Sequence, residues 1–327
     1  MRRRDFLAAA SLISALPAAL SIKPAFADYP TRPIRLIVPR QPGGVVDLVG
    51  RRWAHGVTPK LGSIYVENVG GGGGTIGTGL AARAEPDGYS LLMGATSDIV
   101  LNPLQRKLTY DTERDLTSIA VIAESVGAIA INPKLPIKSL KELVAYCNSE
   151  KEKMSYASAG AGTMSNLIGE LFKKQAGLPK LVHVPYKSGA GGFSDLVSGI
   201  VPIMALNITT PTIQLHDAGK IRILVATSSQ RVTAAPGIPT AEEAGFPEFL
   251  AAMSMGLFAP KGTAQEHIDK LDKATQSILA DKDYQEILVR SGLNPARPGS
   301  AADADRHFQK ERETWAPVLK DLGMSVG

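Results

Sequence analysis

The sequence is poor in the residues that build disulfide frameworks and metal centres. It has a single cysteine, Cys147, among 327 residues, which excludes an internal disulfide network and a cysteine-rich zinc site. The five histidines are scattered and show neither His-x3-His nor His-Glu-x-x-His spacing: His55, His183, His216, His267 and His307. We therefore expect no metal site and no cofactor.

Catalytic motifs are also missing. The serine-hydrolase pattern Gly-x-Ser-x-Gly has only one near match, Tyr156–Gly160, which lacks the first glycine. The composition, 44% hydrophobic, is too rich in apolar residues for a disordered chain, and the 32 glycines have no collagen-like period. The length suggests about two globular domains. We expect a folded protein that is not an enzyme.

The formal charge of +5 would suit a nucleic-acid partner if it were spread over the folded protein. Much of it lies instead in the first 27 residues, where a basic start, Met1–Arg4, precedes an apolar run, Phe6–Ile22, and a small-x-small end, Ala25–Ala27. These features predict a secretory signal peptide cleaved after Ala27. Without it, 32 basic and 30 acidic residues leave a charge of +2. We expect no nucleic-acid partner.

The signal also indicates a route and a compartment. Arg3–Leu7 resembles the twin-arginine export signal, and an ordinary Sec signal with an arginine-rich start is the alternative. Either route leads to the periplasm.

Short apolar runs alternate with helical patterns after residue 28. Strands are predicted at Ile34–Val38, Ile64–Val66, Tyr89–Met93, Met154–Ala157, Leu181–Val184, Ile203–Leu206 and Ile221–Ala226. Helical segments between strands indicate parallel α/β sheets.

Two longer apolar stretches, Ile119–Ile131 and Phe249–Pro260, are suited to carry the chain between domains. We predict one lobe from residues 28–126 and 252–327, a second from 127–251, and a ligand cleft between them.

A glycine run follows the second predicted strand. Gly72, Gly74 and Gly77 match the dinucleotide-binding spacing G-x-G-x-x-G, which makes an NAD(P)-dependent oxidoreductase an alternative function. Five consecutive glycines satisfy many spacings, however, and the fingerprint normally follows the first strand of its unit. An ordinary loop remains the other interpretation.

Four other small-residue loops share one design. Each follows a predicted strand, and three of them precede a helix: Pro42–Gly44, Gly94–Ser97, Ser158–Thr163 and Lys187–Gly192. Ligands of open α/β sheets bind outside the carboxyl ends of the strands, and glycine lets backbone N–H groups approach an anion. The pattern predicts two lobes that present N–H and O–H donors to one anionic ligand.

A series of different short motifs follows in order over nearly the whole chain after residue 28. They are Tyr29–Pro39, Pro42–Gly44 with Asp47, Val66–Thr78, Pro86–Tyr89, Asn102–Pro103, Tyr110–Asp111, Tyr156–Gly160, Gly169–Phe172, His183–Lys187, Ala218–Lys220, Pro239–Thr240 with Glu243–Gly245, and Gly256–Pro260. In this order they resemble the periplasmic substrate-binding proteins of tripartite tricarboxylate transporters, the Bug receptors.

The resemblance implies an α/β, two-lobed periplasmic binding protein of type II, a Venus flytrap with a mixed, mainly parallel sheet in each lobe. Such a receptor closes on a small organic acid, which is a di- or tricarboxylate or an aromatic carboxylate. It then delivers the acid to membrane permease subunits. A monomer without a cofactor is expected. A receptor of the same fold that feeds a sensor kinase is the alternative.

The resemblance also implies which residues touch the ligand, because in this family the loops after the first and third strands hold a carboxylate. The first lobe would contribute Pro42, Gly43, Gly44 and Asp47, with Thr75, Ile76, Gly77, Thr78, Ala95, Thr96 and Ser97 nearby. The second lobe would contribute Ser158, Gly160, Thr163, Tyr186 and Asn207. Asp47 has a second interpretation, as the cap of the following helix.

Three positions depart from the family pattern: Arg40 where an aromatic is usual, Asn166 where histidine is frequent, and Leu206 where an acid is frequent. Leu206 argues against a ligand with an amino group. Arg40 either gives a ligand carboxylate a bidentate, charge-assisted partner or faces solvent at the rim of the cleft.

Overall fold

The computed structural model describes residues 29–149 and 154–325. The predicted signal peptide and its cleavage point lie outside these residues. No helix within the described ranges is long and apolar enough to cross a membrane.

The first part of the described chain alternates strands and helices, as the sequence predicts. The elements are β1 (Ile34–Val38), α1 (Val45–Leu61), β2 (Ile64–Asn68), α2 (Thr75–Ala82), β3 (Ser90–Ala95), α3 (Asn102–Gln105) and α4 (Thr112–Asp115). A 3₁₀ turn, Gly72–Gly74, precedes α2, and a π-helical turn, Ser97–Leu101, follows β3.

A long strand then leads into a second alternating series. Its elements are β4 (Leu116–Ile131), α5 (Leu140–Ser149), β5 (Ser155–Ser158), α6 (Met164–Gln175), β6 (Val182–Pro185), α7 (Gly189–Ser198), β7 (Ile203–Asn207), α8 (Thr210–Asp217) and β8 (Arg222–Ala226). The chain ends with β9 (Ala252–Pro260), α9 (Gln265–Leu279), α10 (Lys282–Arg290), β10 (Leu293–Pro295) and α11 (Ala301–Asp321).

The strands form one curled sheet in the order β2-β1-β3-β9-β4-β7-β5-β6, with β8 and β10 also paired to β4. Strand β4 lies in the middle of this order and joins its two halves. Up to Val126 it pairs with β9, and from Gly127 onward it pairs with β7 and β8. We call the strands on the β9 side the first half-sheet and those on the β7 side the second half-sheet. This change of partner falls at the predicted boundary between residues 126 and 127. The residue ranges of the two lobes stay a prediction.

The pairing is mixed. Strands β1, β2 and β3 pair in parallel, as do β5, β6 and β7. The antiparallel ladders of the described residues all involve β4 or β9. The mixed sheet was predicted, but its antiparallel share was underestimated. A long apolar run shows that a strand is buried and does not show which way its neighbours point.

The core fixes the helices against the sheet. Trp53 on α1 is fully buried, and its indole N–H donates to the Thr275 hydroxyl on α9 at 3.0 Å. A buried tryptophan needs this partner for its N–H. Truncation to alanine would cost roughly 3–5 kcal/mol. Helix α1 is therefore held rigidly, with its first turn at the carboxyl end of β1.

Candidate ligand-binding site

A cavity of about 340 Å³ lies at the carboxyl ends of the parallel strands. The first half-sheet lines it with residues 40–46 after β1, Ser97 after β3, and Met253 on β9. The second half-sheet contributes Ala159, Thr163, Met164, Ser165, Ser188, Gly189, Ala190, Phe193, Met204, Ala205, Leu206, Asn207, Thr209 and Pro211. Both halves of the sheet thus face one cavity, at the place where open α/β sheets hold ligands.

The turn before α1 is held from behind by Asp47. Its Oδ2 accepts from the Gly43 N–H at 2.9 Å, its Oδ1 accepts from Asn68 Nδ2 at 2.8 Å, and Arg51 pairs with it at 3.0 Å. Burial alone raises the pKa of Asp47, but the hydrogen bonds from Arg51, Gly43 and Asn68 together lower it below its ordinary value. Asp47 does not line the cavity. It anchors the turn, close to the helix-capping role that the sequence left open.

Gly44 is the N-cap residue, immediately before α1, and it leaves the first turn of the helix without a side-chain cap. Its backbone is extended, with φ −85° and ψ 171°, and a glycine has no side chain to accept from the first-turn N–H groups. Helix α1 is 17 residues long, and Gly43, Gly44, Val45 and Val46 all line the cavity. A helix start of this kind presents N–H donors and positive potential to an anion.

Arg40 is engaged by a buried acid that the sequence did not reveal. Its Nη1 donates to Asp98 Oδ1 at 2.7 Å and to the Pro39 carbonyl at 2.7 Å. Asp98 is 0% exposed, and its Oδ2 accepts from the Ala95 N–H. Burial raises the pKa of Asp98, while Arg40 and the Ala95 N–H act in the opposite direction. Arg40 lines the cavity, but its Nη1 is already bonded to Asp98. Nη1 is therefore not available for the bidentate contact with a ligand carboxylate that the sequence suggested.

Two buried donors on cavity-lining residues have no protein acceptor within the described ranges. They are Nη2 of Arg40 in the first half-sheet and Nδ2 of Asn207 at the end of β7. A buried donor without an acceptor costs free energy, so a ligand acceptor that forms a hydrogen bond with either donor removes that cost.

The last two residues of the glycine run, Gly73 and Gly74, face other parts of the protein, whereas Gly72 is exposed. A Cβ on Gly74 would overlap Arg40 Nη1 and Asp98 Oδ1, and a Cβ on Gly73 would lie 2.6 Å from the Ala161 carbonyl oxygen. Asn102 Nδ2 donates to the Gly73 carbonyl at 2.9 Å. These close contacts explain the two glycines without a nucleotide. They place the run between the Arg40–Asp98 pair and the loop after β5.

The loop after β5 contacts the first half-sheet directly. The Met164 N–H donates to Ser97 Oγ at 3.0 Å, and Arg106 donates to the carbonyls of both Gly72 and Ala161, at 3.2 and 3.1 Å. Thr163 caps α6 by accepting from the Asn166 N–H at 3.3 Å. The start of α6 is thus occupied by protein acceptors, unlike that of α1.

The sequence profile of the tripartite tricarboxylate transporter family receptors matches residues 49–324. The chain belongs to this family. It is 33% identical over 309 residues to BugT of Bordetella pertussis, covering 93% of each protein. It is similar to the solved periplasmic binding protein BugD, with 33% identity, a TM-score of 0.85, and coverage of 91% of this chain and 99% of that one.

A third similar protein is R. palustris Rpa4515, solved with adipate. Identity is 30%, the TM-score is 0.87, and coverage is 91% of this chain and 99% of that one. The predicted family and the two-lobed α/β binding-protein fold are confirmed. The protein is a periplasmic solute-binding receptor of the Bug type.

The receptor brings seven of the predicted site residues to the cavity: Arg40, Pro42, Gly43, Gly44, Ser97, Thr163 and Asn207. The others do not line it. In the first half-sheet, Thr78 is buried and donates to the Gly74 carbonyl, Thr75 donates to the Gly72 carbonyl, and Gly77 packs on Pro39. Ile76 is 58% exposed, away from the cavity.

The remaining predicted residues bond within the receptor's own framework. Ala95 binds Asp98, and the Thr96 hydroxyl bonds Ser254 and Glu311. Ser158 bonds His183 and Gly160. The Tyr186 hydroxyl donates to Asp195 at 2.5 Å, which raises its pKa to about 12. Loop position predicts proximity, whereas the partner of each polar group depends on packing.

Several residues that the sequence did not single out complete the cavity of the receptor. Phe193, Met164 and Met253 line it, and Asp98 lies behind the lining residue Arg40. All four are individually ordinary apolar or acidic residues, and no local motif marks them. Within the described ranges, no three His, Cys, Asp or Glu side chains group as metal ligands would.

Proposed function

We propose that the receptor binds a small organic carboxylate in this cavity and delivers it to a membrane permease of the tripartite tricarboxylate type. The observation that carries the proposal is the uncapped start of α1, in a cavity that is also lined by Arg40 and Asn207, whose Nη2 and Nδ2 lack protein acceptors in the described ranges. These groups donate hydrogen bonds and need an acceptor, and a carboxylate supplies up to four acceptor sites. The adipate bound to the similar R. palustris protein supports the same ligand class.

The energetics are sufficient for such a receptor. Micromolar binding requires about 8 kcal/mol, and each hydrogen bond to a charged group contributes about 1.5–3 kcal/mol. A few bonds at the start of α1, together with burial of the ligand's carbon skeleton, reach this value. Closure of the two lobes would shift toward the ligand-bound form to the extent that the ligand binds it better.

A catalytic role draws no support from the site. Two serine–histidine pairs lie beside lining residues: Ser158 Oγ with His183 Nε2 and Ser254 Oγ with His307 Nε2, each at 2.7 Å. Ser254 is buried, does not line the cavity, and donates from its Oγ to Glu311.

Ser158 is fully buried and lies outside the cavity lining, and its Oγ also accepts from the Gly160 N–H. Burial lowers the pKa of His183. We assign the Ser158–His183 pair to holding the loop after β5.

A thermal-unfolding screen of the purified protein tests the ligand class. The panel contains hexanoate, phenylacetate, adipate, malate and citrate, with hexylamine and NADH as comparisons. We expect at least one acid to raise the melting temperature in a concentration-dependent way, by mass action. A shift with NADH and with none of the acids would overturn the proposal in favour of a dinucleotide-dependent protein.

The permease partnership needs a separate experiment. Deleting the receptor gene in its native host should abolish high-affinity uptake of the acid found in the screen, and a plasmid copy should restore it. Unchanged uptake together with a lost transcriptional response to that acid would assign the receptor to a sensor instead.

A further inference from the structure

The charge lining the cavity is almost fully compensated before a ligand arrives. Among the described lining residues, Arg40 is the single charged side chain. Its guanidinium lies 2.7 Å from Asp98, which is fully buried behind the lining. The pair contributes close to zero net charge. A ligand with two or three carboxylates would therefore place at least one charge in the cavity without a cation to meet it.

The walls around this pair are apolar. Phe193, Met164, Met204, Leu206 and Met253 all line the cavity, and Met164, Met204 and Leu206 are each no more than 2% exposed. Thioether and hydrocarbon walls favour an apolar ligand body, and methionine adapts to an irregular outline. They give hydroxyl groups or additional carboxylates few partners, which makes their desolvation unfavourable.

The helices that start at the cavity differ in whether a side chain accepts hydrogen bonds from their first-turn N–H groups. The starts of α6 and α8 are capped by Thr163 and by the Thr209–Thr212 pair. That of α7 follows Ser188, a lining residue whose hydroxyl makes no capping hydrogen bond but is available to accept one. Of the four helices α1, α6, α7 and α8, only α1 has an N-cap residue without a side-chain acceptor, Gly44. The compensated charge, the apolar walls and a helix start at which no side chain competes for the N–H groups indicate the place of one carboxylate.

We propose that the ligand is a monocarboxylate with an apolar body, an alkyl or aromatic acid of charge −1, and that the receptor selects against di- and tricarboxylates. The inference rests on the proposed function and narrows its ligand class. The carboxylate meets the start of α1, and the carbon skeleton lies against Phe193, Met204, Leu206 and Met253.

Hexanoate and adipate form the decisive pair, because both have six carbons and they differ by the second carboxylate. Isothermal titration of the purified protein at pH 7 should give at least tenfold tighter binding of hexanoate than of adipate. Phenylacetate should bind more tightly than malate or citrate for the same reason. Tighter binding of adipate, malate or citrate than of both monoacids would overturn this inference and leave the carboxylate receptor standing. Binding of none of the five acids would overturn the proposed function itself.

A charge-swap variant provides an independent readout. Phe193 is half-buried on α7, so Phe193→Lys can place an ammonium group at the cavity while its stem keeps some apolar contact. We expect the hexanoate-to-adipate preference to fall at least fivefold in Phe193→Lys and to change less than twofold in the matched control Phe193→Leu. A preference unchanged in Phe193→Lys, with the variant folded by circular dichroism, would contradict the placement of the apolar body.

Discussion

The turns before α1 and α2 are both rich in glycine, and both follow a parallel strand of the first half-sheet. They differ in what their backbone faces. The turn before α1, Gln41–Gly44, opens on the cavity, and Asp47 holds it from behind. The turn before α2, Gly70–Gly74, is covered at Gly73 by the loop at Ala161 and at Gly74 by Arg40 and Asp98. Glycine in the first turn leaves donors free for a ligand, and glycine in the second makes room for protein.

The comparison shows why a glycine-rich string is a poor guide to function by itself. The longer run, which matches a nucleotide fingerprint, is the one filled by the protein's own groups. The shorter one leaves N–H donors beside an open volume. What separates them is the presence of an acceptor from elsewhere in the chain, and this depends on the tertiary fold.

The largest effect should come from adding one methyl group to the covered turn. Gly74 has φ +102°, and a Cβ there meets the Arg40–Asp98 pair. We expect Gly74→Ala to lower the free energy of unfolding by about 4 kcal/mol, through backbone strain and disruption of a buried ion pair. Gly43, with φ +87° and no atom within 4 Å of its Cβ position, is the matched control. Its change to alanine should cost about 1–2 kcal/mol. Equal losses in urea unfolding would remove the distinction between the turns.

The ion pair under the covered turn should show a similar but smaller effect. Arg40→Met leaves the buried Asp98 carboxylate without its cation, so we expect a loss of about 3 kcal/mol in urea unfolding. The double variant Arg40→Met with Asp98→Asn removes both charges and should recover at least half of that loss. A double variant as unstable as the sum of the single variants would mean that the two residues act independently.

The two acids behind the turns should respond to pH with opposite signs. The pKa of Asp47 is lowered in the folded protein, so its stabilisation is present above about pH 3.9 and is lost as the pH falls through its folded pKa. The pKa of Asp98 is raised, so its contribution declines as the pH rises from about 3.9 through its folded pKa. Unfolding free energies of Asp47→Asn and Asp98→Asn relative to the wild type, measured from pH 3 to 7, should diverge in these directions. We expect about 1 kcal/mol for Asp47→Asn at pH 7. Slopes of the same sign would contradict the assignment.

The smallest effect should come from the contact between the covered turn and the second half-sheet. Arg106 is half-buried and donates hydrogen bonds to both the Gly72 and the Ala161 carbonyls. Arg106→Gln should weaken binding of the better acid two- to threefold, because these bonds bridge the half-sheets, and should change the unfolding free energy by less than about 0.5 kcal/mol. An unchanged affinity would mean that the contact does not contribute to the bound form.

Local pattern predicted much of the fold. Strand β1 occupies the predicted residues, Ile34–Val38, because a run of β-branched and aliphatic residues between turns has few other solutions. The apolar stretch near residues 119–131 was expected to link two domains, and β4 does pair with both half-sheets. That all four ladders given for β4 are antiparallel could not be inferred from composition, because strand direction depends on distant partners.

The site was predicted less completely. Gly44 and Asn207 were predicted from their loop positions and from the family pattern, and both line the cavity. Asp98 was not found, because an isolated acid in an apolar segment carries no signal until Arg40 is seen 2.7 Å away. Met253 and Phe193 reach the cavity from segments about 60 residues apart in sequence. Such convergence is a property of the folded chain.

Substitution at Gly44 tests whether the uncapped start of α1 binds the carboxylate. Its backbone φ of −85° suits any residue, and the nearest atom to a Cβ there is 3.9 Å away. Gly44→Asp places a carboxylate over the first-turn N–H groups, whereas Gly44→Ala adds only a methyl group. The measurement is titration with whichever of hexanoate and adipate binds the wild type more tightly. We predict at least 30-fold weaker binding for Gly44→Asp, less than threefold for Gly44→Ala, and no loss of melting temperature without ligand. Equal affinity of the two folded variants would contradict the account.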